Sequence, residues 1–227
     1  MYRHFCTAIA LSLCICPQLV SKQTADPETV FSDIYQRAGW SCNERGEGTS
    51  GIGSTVRNAQ PYMGFLEQFI REKKIKTVVE LGCGDWEFSQ YINWGDVRYI
   101  GYDVVKNVVD RDTKLFGNKQ IKFRHADILE MKVPKADLVI CKDVLAHLPN
   151  KDVERLLAKL GHIRYCLFTS CVCTLEGPSD TYNLNQDIAL GEFRQLDLAK
   201  PPFSVKGKPV FRYATDHSYK EVFLVEH

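Results

Sequence analysis

Four short clusters in this chain carry side chains able to hold or transform a small molecule. The first, Glu80-Leu81-Gly82-Cys83-Gly84-Asp85, sets two glycines among acids directly after the apolar run Val78-Val79. Glycine has no Cβ and adopts positive φ freely, so such a turn lets a ligand approach the backbone. The second, Tyr99-Ile100-Gly101-Tyr102-Asp103-Val104, places an acid 19 positions after Gly84. That is about where a carboxylate meets the hydroxyl pair of a ribose in a dinucleotide-type site. The third is His125-Ala126-Asp127-Ile128, and the fourth runs Cys141-Lys142-Asp143-Val144-Leu145-Ala146-His147. Asp143 and His147 are candidates for taking a proton from a hydroxyl, and their spacing of four puts them on one face if the segment is helical. Singly, each residue has a plainer reading: Asp103 as a helix cap, Asp127 as the start of a turn, His147 as a donor to a loop carbonyl. It is their succession that is specific.

These clusters need strands to bring them together. Apolar runs near 75–81, 97–103, 120–125, 136–142 and 163–170 alternate with helical patterns near 86–93, 105–116 and 150–160, which predicts a mostly parallel sheet covered on both faces. Such sheets bind ligands at the C-terminal ends of their strands, where all four clusters fall. Asn150 and Gly161 read as cap and stop of the last helix. Two further strands, near 209–215 and 220–226, are joined by a connection short enough to require an antiparallel pair. Upstream, Asp26-Pro27-Glu28 opens a lid helix with Val30, Phe31, Ile34 and Tyr35 at helical spacing, and a second helix covers 57–73. Between them lies a glycine-rich loop containing Ser50-Gly51-Ile52-Gly53-Ser54-Thr55. Backbone amides there suit an anionic ligand group, and Tyr35 and Trp40 could close over a cation.

A nicotinamide dinucleotide would use the same strand, turn and acid. Its fingerprint needs a third small residue where this chain has Glu87, flanked by Trp86 and Phe88. Glu80, two residues before the first glycine, fits a cationic ligand end better.

On these residues the chain resembles the class I S-adenosylmethionine-dependent methyltransferases, by motif from Ile75 to His147 and by layout to His227. The resemblance implies an α/β, Rossmann-like three-layer sandwich. Its mostly parallel seven-stranded sheet would be ordered 3-2-1-4-5-7-6 with strand 7 antiparallel, under an N-terminal helical lid. It implies that Glu80 to Gly84 surround the methionine portion of S-adenosyl-L-methionine, with Asp85 beside them. Asp103 would hold the ribose, next to Val104, while Asp127 with the Ile128 backbone reads the adenine. Cys141 and Lys142 would lie beside the sulfonium, and Ser50, Gly51, Gly53 and Ser54 would fold over the cofactor. The Ser50-Gly51-Ile52-Gly53-Ser54-Thr55, Asn185-Gln186-Asp187-Ile188, Gly191-Glu192-Phe193-Arg194 and Pro201-Pro202-Phe203 segments resemble a little-characterised branch of that superfamily. In that branch an arginine is expected in place of Lys142 and a tryptophan in place of Phe193.

The 227 residues suit one core, and the formal net charge of +1 shows no pull toward nucleic acid. A small-molecule or sugar-like methyl acceptor is therefore expected, with a binding or effector protein lacking turnover as the alternative. Residues 1–25 have the layout of a signal peptide or anchor, with Arg3 and His4 ahead of an uncharged run broken by Pro17, and the methyltransferase domain would occupy 26–227. This leader predicts a secreted or membrane-tethered protein, with a cytoplasmic one as the alternative. The cysteines beyond it sit mostly in apolar runs and read as core thiols; Cys171-Val172-Cys173 has the wrong spacing for zinc, and no metal site is expected.

Overall fold

The computed structural model describes residues 26–176 and 183–227, so the expected leader at 1–25 lies outside the described residues. Asp26 caps the first helix, α1 (Pro27–Gln36): its Oδ2 accepts from the Thr29 amide at 2.9 Å, and Pro27 fills the first turn. Thr55 caps α2 (Val56–Lys73), which buries Tyr62, Leu66, Phe69 and Ile70 on one side.

Five strands then run parallel: β1 (Thr77–Leu81), β2 (Arg98–Asp103), β3 (Ile121–His125), β4 (Leu138–Lys142) and β5 (Tyr165–Thr174). β6 (Lys208–Ala214) and β7 (Ser218–Glu226) complete a seven-stranded sheet of order β3-β2-β1-β4-β5-β7-β6, with β7 antiparallel to both neighbours. The expected architecture and order are those observed. The central strands are buried on both faces, which is why they read as unbroken apolar runs.

The two faces carry separate cores. α2 packs Tyr62, Leu66 and Phe69 against Val78, Tyr99, Ile140 and Leu167. On the other face, residues of α1, α3 (Lys106–Phe116) and α4 (Asn150–Ala158) pack against Val79, Leu81, Val139 and Phe168. The thiols of Cys83, Cys141, Cys166, Cys171 and Cys173 are buried among these residues, whereas Cys42 is exposed.

Two local expectations are corrected. No α-helix forms over 86–93. Trp86 takes φ +54° and only a 3-10 turn, Ser89–Tyr91, follows. The cause is aromatic packing: Trp86, Phe88, Ile92 and Trp94 are all buried, and the Trp86 ring lies against Trp94, Tyr99, Phe116 and Phe123, a set that one helical face cannot present. Asn150 is the first residue of α4 rather than its cap. Its amide donates to Asp187 Oδ1 at 2.7 Å, so the cap comes from a distant segment.

Candidate active site

At the C-terminal ends of β1, β2 and β4 a solvent-open cleft of about 900 Å³ lies beneath α1. The sheet register explains its contents. Glu80 pairs with Gly101 and Ile140, so the residues that follow each strand emerge side by side. Gly82 and Gly84 both have positive φ, at 74° and 57°. A Cβ on Gly82 would lie 2.3 Å from Val144, and one on Gly84 2.3 Å from Ser50 Oγ. The turn is therefore closed to any side chain, and it leaves the cavity wall to backbone.

Asp103 ends β2 with both carboxylate oxygens fixed, Oδ2 accepting from the Gly84 amide and Oδ1 from the Val105 amide, each at 2.9 Å. Burial raises its carboxyl above the ordinary value, while those two amides pull it back down. Asp127 Oδ1 accepts from the Leu129 amide at 2.7 Å, and Asp127, Ile128 and Leu129 line the same wall. Glu80 accepts from the Tyr99 hydroxyl, and burial pushes its carboxyl up to about 7.

The loop before α2 does fold over this turn. Ser50 N donates to Asp85 Oδ2 at 2.9 Å, Asp85 N donates to Ser50 Oγ at 2.8 Å, and the Tyr35 hydroxyl lies 2.6 Å from the same Oγ. One serine thus ties α1, the lid loop and the glycine turn together. The expected residues divide accordingly. Ser50, Ser54, Glu80, Gly82, Cys83 and Gly84 line the cavity, as do Asp103, Val104, Asp127, Ile128, Lys142, Asp143 and His147. Asp85 stands behind it, holding Ser50. Gly51 and Gly53 line a second, adjoining cavity instead. Cys141 is a core residue of β4 that points away, since alternate residues of a strand face opposite sides and its neighbour Lys142 faces the site.

Asp143 and His147 both reach the cavity, but not from an α-helix. Asp143 has φ +59°, and a 3-10 turn spans Leu145–His147. Asp143 is also no free base. Lys142 Nζ donates to Oδ2 at 2.7 Å and Lys220 Nζ to Oδ1 at 2.6 Å. Burial alone would raise this carboxyl, and the two ammonium groups outweigh it, holding it well below the usual range. His147 Nδ1 lies 2.9 Å from the Glu192 carbonyl, which only accepts, so Nδ1 carries the hydrogen. Burial lowers its pKa, leaving a neutral ring whose Nε2 holds a lone pair. Of the two candidates, His147 alone has a base to offer.

Two contacts at the site have no local signal in the sequence. Lys220, on β7, lies 77 positions from Asp143, and nothing local to it signals a site. Arg194, fully buried, donates from Nη1 to the carbonyls of Leu145 at 3.2 Å and Leu148 at 2.8 Å, bracing the turn that carries His147. The Asn185 side chain in turn holds Asp197 and Pro201 through their carbonyls, each at 2.9 Å.

A sheet of this order with an antiparallel β7, carrying acids after β1, β2 and β3, is the class I methyltransferase architecture. A family model described as a methyltransferase domain matches residues 78–163. No curated protein sequence matches the chain. Among solved structures, it is similar to magnesium protoporphyrin IX methyltransferase from Synechocystis PCC 6803 with bound SAH, at 16% identity and TM-score 0.60, over 88% of this chain and 98% of that one. It is also similar to the N-methyltransferase NodS from Bradyrhizobium japonicum WM9 in complex with S-adenosyl-L-homocysteine, at 13% identity and TM-score 0.58, over 84% and 97%. Residues 78–163 thus match a methyltransferase domain, and the chain has the fold of the class I S-adenosylmethionine-dependent methyltransferases.

Proposed function

We propose that this protein transfers the methyl group of S-adenosylmethionine to a small-molecule acceptor. The observation that carries the assignment is the pairing of Asp103 with the Gly84 turn at the mouth of the cavity, with Asp127 on the adjoining wall. A carboxylate held by two amides keeps further lone pairs for a hydroxyl pair, and the side-chain-free turn gives a ligand direct access to backbone. The residues present fit the cofactor. Asp103 takes the ribose, Asp127 and Ile128 take the adenine between the apolar flanks of Phe31 and Leu129, and the Glu80–Gly84 segment takes the methionine portion. Ser50 and Ser54 cover it from the lid, and the faces of Tyr35 and Trp40 suit a cation.

When bound, the cofactor supplies an electrophilic methyl whose leaving group is a neutral thioether. The protein's own contribution is then chiefly alignment, worth up to roughly 7–11 kcal/mol in favourable cases. Where the acceptor is a hydroxyl, His147 receives its proton at Nε2. Relatives of the same fold that methylate small molecules support an acceptor of that size. Titration of the full chain with S-adenosylhomocysteine by calorimetry tests the reading. Stoichiometric binding is expected, and its absence overturns it. The proposed leader over 1–25 directs the chain to export or a membrane, and mass determination of the mature N-terminus checks it, cleavage near Ser21 to Ala25 being the mark of export.

A further inference from the structure

The second cavity, about 1010 Å³, shares Trp40, Ser50, Asp143 and His147 with the first, so whatever fills it reaches the same reacting region. One wall is a row of flat rings: the His147 ring lies 5.0 Å from Trp40 and 5.7 Å from Phe193, centroid to centroid. The same cavity is lined by the buried Lys220 and by the more exposed His217 and Ser218.

Two ammonium groups meet one carboxylate at the junction. Lys142 and Lys220 are 7% and 4% exposed, and they share the single carboxylate of Asp143. Burial works against the charge on Lys142, whereas at Lys220 the Asp143 carboxylate outweighs burial and keeps the ammonium group charged. Glu80, which accepts from Tyr99, also acts on Lys142. The two lysines open differently: Lys142 lines the cofactor cavity and donates to the Gly53 carbonyl at 3.0 Å, whereas Lys220 lines the second cavity. Lys220 donates to Asp143 and, at 3.3 Å, to Cys171 Sγ, and an ammonium group has three hydrogens.

We propose that the second cavity recognises a methyl acceptor consisting of a flat ring that bears a carboxylate, the ring against Trp40, His147 and Phe193 and the carboxylate toward Lys220. This rests on the methyltransferase reading and names its substrate class. A protonated amine in this cavity would bring a further cation beside two ammonium groups that share one carboxylate.

The test uses the full chain saturated with S-adenosylhomocysteine and titrated calorimetrically with benzoate, benzyl alcohol and benzylamine. Benzoate is expected to bind at least about tenfold more tightly than either of the others, and K220Q to weaken benzoate by at least about tenfold, within the range of close charge pairs. Cofactor-product affinity in K220Q should stay within about twofold. Equal or tighter binding of the alcohol or the amine, no binding of benzoate, or unchanged benzoate affinity in K220Q overturns the proposal. Failure of S-adenosylhomocysteine itself to bind the unmodified chain counts against the methyltransferase reading instead. If K220Q loses S-adenosylhomocysteine binding and so does not fold, the ranking of the three compounds on the unmodified chain decides.

Discussion

Asp103 and Glu80 are both buried acids at strand ends, and their partners give them different work. Asp103 receives two amide hydrogen bonds, which fix the carboxylate proposed to hold the ribose. Replacing it with alanine removes a charged partner, and S-adenosylhomocysteine affinity should fall by about 1–3 kcal/mol, roughly 5- to 150-fold, by calorimetry. Glu80 has its proton held more tightly in the folded chain than in the unfolded one, because burial raises its carboxyl from 4.5 to about 7. Between those values the folded state binds more protons, so stability should fall as pH rises from 4.5 to about 7 and level off above it. Thermal melts across this window should show the fall, up to ~3 kcal/mol from this group, and E80Q should flatten it. Asp112, which burial also pushes to about 7, should leave part of the slope in the variant. The sequence revealed which acids stand at strand ends. It did not reveal which would be neutralised, since the Tyr99 partner of Glu80 and the Lys220 partner of Asp143 come from other strands.

Among elements, the join between the lid loop and the glycine turn is the most constrained. Gly84 combines φ +57° with Ser50 Oγ at 2.3 Å from any added Cβ, so G84A should cost about 1–3 kcal/mol in thermal or denaturant unfolding. Part of that cost is steric and part is backbone strain. S50G removes the first alone, so the two substitutions together should destabilise by less than the sum of their separate effects. The strands and the longer helices were legible because their periodicities are strong and their caps are local, as at Asp26. The 86–93 segment misled because its apolar residues have no single face: Trp86 reaches into a cluster assembled from β2, β3 and α3. The α4 cap misled for a related reason, its partner Asp187 lying far along the chain.

At the scale of the molecule, the sheet separates two cores, and β5 belongs to both. Leu167, with no exposed surface, packs on the α2 face between Ile140 of β4 and Leu224 of β7. L167A should cost about 2–5 kcal/mol, lowering the unfolding temperature by ~2–4 °C for each kcal/mol. The parallel half of the site was legible in order along the chain, one acid after each strand. The acceptor half was not, because it depends on an insertion that brings β7 between β5 and β6.

That insertion also sets the order in which the site is completed during synthesis. The residues assigned to the cofactor, through Asp127, leave the ribosome before the segment that bears Lys220. A nascent or truncated chain ending before β7 would carry the nucleotide half alone. Lys142 would then be the sole close counter-ion of Asp143, and the long, apolar β5 would be left as a bare sheet edge, the kind of surface that pairs with other chains. The strand that completes the pocket is thus also the one that covers the apolar edge of β5.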